Sequence, residues 1–215
     1  SNYSYVAYAK NSVGTTESSP VKTFDSSKVQ APVVSTPASA ILVNATAQTI
    51  SGTYTENGVK VHAYADTDND GIADNTTSLG FATVSASAWS FSVNLTANTA
   101  NNFVVKAIDV VGNESDAVNV PTITEDSTAP IITSNAAINY AENGTGVAYT
   151  VIGSDTHTVT YSLGTAKDEG LFTINATSGA ITFKIAPDYE NPIDADTNNS
   201  YVISVIATDS SQNTV

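Results

Sequence analysis

Nine residues carry the densest chemistry in this chain: Asp66, Thr67, Asp68, Asn69, Asp70, Gly71, Ile72, Ala73 and Asp74. Side-chain oxygens at alternate positions around a glycine turn can wrap one hard cation, with the Ile72 carbonyl and Asp74 completing the shell. The same residues also suit a polar hairpin, in which Asp-Asn-Asp-Gly merely supplies turn geometry. Four acids at this spacing repel one another, and a divalent ion lets them coexist. Calcium is therefore the expected ligand, with Asp66, Asp68, Asp70, Ile72 and Asp74 as its donors.

A second run, Asp194-Ala195-Asp196-Thr197-Asn198, again alternates oxygens and is expected to add Asp194, Asp196 and Asn198 to the calcium ligands, against the plainer reading of a solvated loop. Catalysis finds little support. Asp188 and Glu190 would suit glycoside hydrolysis only if they flanked a cleft with one pKa raised, and acids gathered at the ends of β-sandwiches favour metals. No Gly-x-Ser-x-Gly and no glycine-rich phosphate loop occurs, and a serine without an activating base is a weak nucleophile. His62 and His157 have no partner at ligand spacing and read as surface histidines. The Asn-x-Ser/Thr sites at Asn44, Asn94 and Asn175 are what a chain this rich in Asn and Thr generates by chance. An isopeptide cross-link from Lys60 or Lys106 to a neighbouring Asn or Asp is chemically allowed in a surface sandwich, but needs a core placement that spacing does not give. No enzyme activity is expected.

Composition narrows the partners. The chain has 215 residues and a formal net charge of −14; its seven basic residues are all lysines. Nucleic acid and anionic membrane are poor partners for such a surface. Crowded carboxylates are commonly relieved by cations. With no cysteine there is neither a disulfide framework nor a thiolate metal site. No stretch approaches the ~18 apolar residues of a membrane span, and no apolar signal core opens the chain, so direct membrane insertion is not expected and the chain reads as an interior fragment of something longer.

Three segments share one pattern: an alternating strand, Ala-x-Asp/Asn, then a small polar turn. They lie at 5–18, 102–115 and 201–214, and their markers Asn11, Asp109 and Asp209 are 98 and 100 positions apart. A period of about a hundred residues is one β-sandwich. An Asp followed by Ala-Pro recurs at Asp25…Ala31-Pro32 and Asp126…Ala129-Pro130, which read as proline-stiffened linkers. The expected domains are the closing strands of a preceding sandwich (1–25), which resemble the tail of a fibronectin-III or immunoglobulin-like domain, a whole sandwich that resembles an immunoglobulin-like one (26–125) and a further sandwich lacking its last strand (126–215).

In the middle domain, strands are expected near 33–36, 47–54, 59–65, 79–84, 88–95, 102–109 and 116–122, with turns at Glu56-Asn57-Gly58 and Gly112-Asn113. Trp89, Phe91, Val93 and Leu95 alternate with polar neighbours; so do Ile181, Phe183 and Ile185, and Tyr201, Ile203, Val205 and Ala207. No useful 3.6-residue period occurs. The fold is all-β. In a seven-strand sandwich, Asp109 then falls near Asp25 and Glu56, while the 66–74 loop falls at the other end with Asp126, Asp155 and Asp209.

The 66–74 loop resembles the calcium loops of dockerins and thrombospondin-type repeats, although its twelfth position is Thr77 where an EF-hand has a bidentate Glu. Ile50-Ser51-Gly52-Thr53, Glu56-Asn57-Gly58, Trp89 and Ala107-Ile108-Asp109 with Gly112-Asn113 resemble the immunoglobulin-like repeats of giant bacterial adhesins. Ala141-Glu142-Asn143-Gly144, Leu171-Phe172-Thr173-Ile174, Thr177-Ser178-Gly179-Ala180-Ile181, Asp188-Tyr189-Glu190 and Ala207-Thr208-Asp209 resemble a cadherin-like domain.

The resemblance implies tandem Greek-key sandwiches. It also implies that Glu142, Asp188 and Glu190 bind calcium at the end facing a following domain, and Asp155 and Asp209 at the opposite end, where His157 replaces the second acid of the pair. With Asp109 and Asp126, these complete the expected metal ligands. A calcium-rigidified spacer of a secreted bacterial cell-surface adhesin of the RTX type is the function implied. It would present a distal binding module for cell adhesion. Its partners are calcium ions, neighbouring domains of the same chain, and surface glycans or another cell. The alternatives are a carbohydrate- or ice-binding module, accessory domains of a polysaccharide-degrading enzyme, and a filament in which residues 16–24 of a neighbour fill the missing last strand.

Overall fold

The computed structural model describes residues 29–215 in full. Before them it gives four short strands by backbone pairing alone: β1 (Asn2–Tyr5) antiparallel to β4 (Lys22–Asp25), and β2 (Tyr8–Asn11) antiparallel to β3 (Gly14–Glu17). The expected tail at 1–25, the donor segment at 16–24 and the first linker otherwise lie outside the described residues. The chain divides into two compact units: residues 1–40, 47–94 and 101–122, and residues 41–46, 95–100 and 123–215.

Next in order come β5 (Val33–Thr36), β6 (Ile41–Val43), β7 (Ala47–Thr53), β8 (Lys60–Ala65), β9 (Gly80–Thr83), β10 (Ala88–Asn94), β11 (Thr99–Ile108) and β12 (Val118–Glu125). In the first unit β10, β7 and β5 form one antiparallel sheet, and β12, β11, β8 and β9 lie side by side in another. Period-2 patterning explains them: along β10 Trp89 and Val93 are buried while Ser90 and Ser92 are exposed. Ile50, Val61, Ala63, Val104, Val105 and Ala107 are wholly buried and form the core of the unit. Gly52 is required by packing: a Cβ there would stand 1.8 Å from the Val33 carbonyl oxygen and 2.6 Å from the Trp89 ring. The Trp89 indole N–H donates to the Thr53 carbonyl at 3.3 Å.

Sequence patterning missed β6, three residues that pair in parallel with Ile123, Thr124 and Glu125 at the end of β12. Because of that pairing, the last strand runs to Glu125 and Asp126 still donates its amide to the Val43 carbonyl at 2.9 Å. The segment expected as a linker is therefore hydrogen-bonded into the second unit, and Pro130 is fully buried.

The second unit also contains β13 (Ile131–Ile132), β14 (Val147–Thr150), β15 (Gly153–Ser154), β16 (Thr160–Leu163), β17 (Phe172–Ile174), β18 (Ala180–Phe183) and β19 (Val205–Thr208). They pair as β13 with β15, β14 with β18 with β17, and β16 with β19. Val151, Phe172 and Ile181 are buried at the centre, with Tyr161, Phe183, Tyr201, Ile203 and Val205 packed around them. Phe183 lies edge-on to Tyr201 at 4.9 Å between centroids. The expected inward alternation stops short of Ile185, which is 70% exposed: β18 ends at Phe183, and the last bond to its neighbour runs from the Lys184 amide to the Leu171 carbonyl. A 3₁₀ turn at Glu169–Leu171 is the one helical element among the described residues, and no helix there is long and apolar enough to cross a membrane.

Candidate metal centres

The 66–74 loop leaves β8 at Ala65, and its backbone is bent by Asn69 and Gly71 at φ 57° and 85°. Asp66 is fully buried. Its two carboxylate oxygens accept the amides of Asp70 at 3.0 Å and Gly71 at 3.1 Å, while Asp70 accepts that of Ile72 at 2.8 Å. This wrapping brings oxygens of Asp66, Asp68 and Asp70 within 4.8 Å of one another. Asp74 stands outside that group. The Thr67 hydroxyl and amide, at 2.6 and 2.8 Å, hold it and draw its carboxyl below the usual range. Ile72 is largely exposed at the rim.

In the second unit Asp126, Asp155 and His157 converge in the same way. Asp126 is 3% exposed; it receives the Ser211 hydroxyl at 2.8 Å and the Thr128 amide at 3.1 Å, and His157 Nδ1 lies 2.8 Å from its carboxylate. Burial pushes the Asp126 carboxyl up, but Ser211, Thr128 and His157 together carry it below its ordinary value. His157 Nδ1 is 3.8 Å from Asp155, and its amide donates to the same carboxylate at 2.8 Å. His157 is thus no bystander at the surface. His62 also departs from the surface reading: it is half-buried, stacked on Phe81 at 4.9 Å and 3.0 Å from the Ser78 hydroxyl.

Asp209, 2% exposed, belongs to the same neighbourhood without being one of the three converging ligands. Its carboxylate accepts the amides of Ser211 and Asn213 and the Asn213 side-chain N–H. Asn213 in turn donates to the Asp126 carbonyl at 3.0 Å and accepts from the Asn44 side chain. Sequence reasoning missed Ser211, Asn213 and Asn44. The available signal was Asp209-x-Ser211-x-Asn213, the same alternation that marked the 66–74 loop.

Glu142, Asp188 and Glu190 form the third group, also within 4.8 Å. Asn143 at φ 58° turns the chain beside it, and Glu142 accepts the Tyr189 amide at 3.1 Å. The Asn191 side chain, 3.0 Å from Asp188, is the main cause of a carboxyl held below its ordinary value. Asp194, Asp196 and Asn198 do not converge with a third acid among the described residues. Asp194 is buried and accepts the Asn198 and Asn199 amides; Asp196 pairs with Lys167 at 3.2 Å; Asn198 caps the Ser200 amide. Burial raises the Asp194 carboxyl, but these amide donors bring it below the usual range. A neighbour missed from sequence, Asp168, is 3% exposed and takes the Ala195 and Val202 amides at 2.8 and 2.6 Å. Asp109 joins no group either. Its oxygens are occupied by the Val111 and Asn113 amides and the Asn113 side chain. The side chain of Asp25, expected near Asp109 and Glu56, lies outside the described residues.

The three converging groups fit a hard divalent cation. Their donors are carboxylate oxygens, with a single imidazole nitrogen at His157 that widens the second site towards borderline metals. None of the four lysines with described side chains neutralises them: Lys60 lies over Phe81, Lys106 pairs with Glu114, Lys167 pairs with Asp196, and Lys184 donates to the Gly170 carbonyl.

No family model matches the chain, and no curated protein sequence matches it significantly. Among solved structures it is similar to fibronectin(III)-like modules of CbhA from Clostridium thermocellum (16% identity, 85% of this chain and 88% of that one, TM-score 0.39). It is also similar to the first four extracellular cadherin domains of protocadherin gamma B7 (11%, 100% and 56%, TM-score 0.35) and to the first three of Drosophila N-cadherin (17%, 82% and 60%, TM-score 0.32). The chain thus spans less than two thirds of the length of either cadherin structure.

Proposed function

We propose that this chain is a calcium-rigidified spacer from the extracellular repeat region of a bacterial surface adhesin, of the RTX-adhesin kind, holding a distal binding module away from the cell. The observation that carries the reading is the set of three acidic groups that no described lysine compensates. Filled by calcium, the group at Asp126, Asp155 and His157 ties the 126–130 segment to the body of the second unit, next to the Asn44 loop bound through Asn213. A segment already hydrogen-bonded into that unit is thereby stiffened further. Millimolar extracellular calcium fills sites of ~10⁻⁴–10⁻³ M affinity.

The reading is non-catalytic. Asp188 and Glu190, the carboxylate pair that most resembles a glycosidase's, gather with Glu142 in one acidic group, an arrangement that suits a cation. Calorimetric titration with calcium is the test, and saturable binding with a stoichiometry of two to four ions per chain is the expected result. No binding heat together with a melting temperature indifferent to chelator would overturn it. Glycan recognition is the second reading, favoured by a half-exposed Phe81 stacked on His62 beneath Lys60; binding on a glycan array that Phe81→Ala abolishes would establish it.

A further inference from the structure

Asparagine is followed by glycine twice in the chain, at Asn57-Gly58 and Asn143-Gly144. In such a pair the glycine backbone nitrogen can attack the asparagine side-chain carbonyl, because no side chain on the glycine shields it. How readily it does so depends on how firmly the fold holds the two groups. At Asn57 both are held: its side-chain oxygen accepts the Ser87 amide at 3.1 Å, and the Gly58 amide donates to the Val84 carbonyl at 2.9 Å. At Asn143 the side chain is exposed and makes no hydrogen bond among the described residues, and the Gly144 amide reaches only the Ala141 carbonyl, at 3.4 Å. The Asn143 backbone stands in the left-handed region at φ 58°, with its own amide fixed on the Pro187 carbonyl at 2.7 Å. Rotation about the following bond brings the Gly144 nitrogen to the side chain, and that one long contact is the hydrogen bond opposing it. Packing keeps the second residue a glycine, since a Cβ at Gly144 would stand 2.6 Å from the Tyr140 hydroxyl.

We propose that Asn143 is a site of spontaneous covalent modification by water, and that Asn57, with the same following residue, is protected by the fold. The Gly144 nitrogen gives its proton to base and bonds to the Asn143 side-chain carbon, and the side-chain nitrogen leaves as ammonia. Water then opens the cyclic imide at either carbonyl. The net change is one water taken up and one ammonia released, with no oxidant or reductant. The products are aspartate and its iso form, in which the backbone runs through the former side chain. Either one carries a new carboxylate next to Glu142, whose own carboxylate meets Asp188 and Glu190 in the third acidic group. That group therefore gains negative charge at its margin as the protein ages. The reaction needs no metal, so it stands or falls apart from the calcium reading.

Incubation of the whole chain at mildly alkaline pH, followed by digestion and peptide mapping by mass spectrometry, reads the conversion of each asparagine to the acid. In the folded chain Asn143 is expected to convert about tenfold faster than Asn57 or more, because the hydrogen bonds to Ser87 and Val84 must open before Asn57 can react. In urea, where those bonds are gone, the two sites are expected to convert at similar rates. Equal rates in the folded chain, or an Asn143 that converts in urea and stays intact when folded, would overturn the proposal. The same ratio persisting in urea would also overturn it, by tracing the difference to neighbouring residues and not to the fold.

Discussion

The turns after β11 and at the end of β19 are built alike, residue for residue. Asp109 and Asp209 each accept the amides two and four positions ahead, at 2.9 and 2.9 Å in one and 2.7 and 2.9 Å in the other, and each holds its following Asn side chain at 2.8 Å. Each amide also closes the turn onto the Asn carbonyl, at 3.0 and 3.1 Å. Their surroundings differ. Asn113 is exposed and its turn ends there, whereas Asn213 is buried and passes the network on to Asp126 and Asn44. An Asp at this position is therefore turn chemistry first. Asp209 is joined through Asn213 to Asp126 of the candidate cation site, whereas Asp109 is joined to none of the three groups.

The largest effect expected from this contrast is in the calcium response. Wild-type protein should gain about 1.4–2.7 kcal/mol per filled site at calcium ten- to a hundredfold above Kd, read as a rise in melting temperature over the chelated protein. Asp126→Asn should remove part of that rise and Asp109→Asn none; a response lost equally in both would erase the distinction between the turns.

Next in size is the intrinsic cost of the two aspartates, measured by urea unfolding in chelator. Asp209→Ala strands buried amides and the Asn213 side chain and should cost about 2 kcal/mol or more. Asp109→Ala, with water at hand, should cost clearly less. The reverse order would break the comparison. A smaller, opposed pair tests the backbone: Gly112 and Gln212 occupy the same left-handed position at φ 95° and 70°. Gly112→Ala should lose about 1 kcal/mol and Gln212→Gly should gain up to about that much, in thermal melts.

The smallest effect is on proton binding. The Asn113 side chain leads the amides that hold the Asp109 carboxyl below 3.8. A folded-state pKa below the unfolded one means that the stabilisation is complete above about pH 4 and is lost as pH falls through the depressed value. Asn113→Ala should return the carboxyl towards 3.8, seen by NMR titration.

Much of the fold could be read from the residues. The Trp89, Phe91 and Val93 alternation and the Gly112 turn are local rules that act within a few residues. The site was legible in part. Asp66, Asp68 and Asp70 lie on one short loop, and spacing alone gathers them. Asp194 and Asp196 share that spacing, yet Lys167 takes one and backbone amides the other.

The sequence by itself determined an all-β chain, its hundred-residue period, and the acidic loop at 66–74, because alternation and turn chemistry are properties of neighbouring residues. Only the tertiary structure decided that His157 meets Asp126, that Asn44 and Asn213 join them, and that Asp109 stays apart. These outcomes depend on strands tens of residues distant folding back to one place, and no spacing along the chain encodes which side chains then share it.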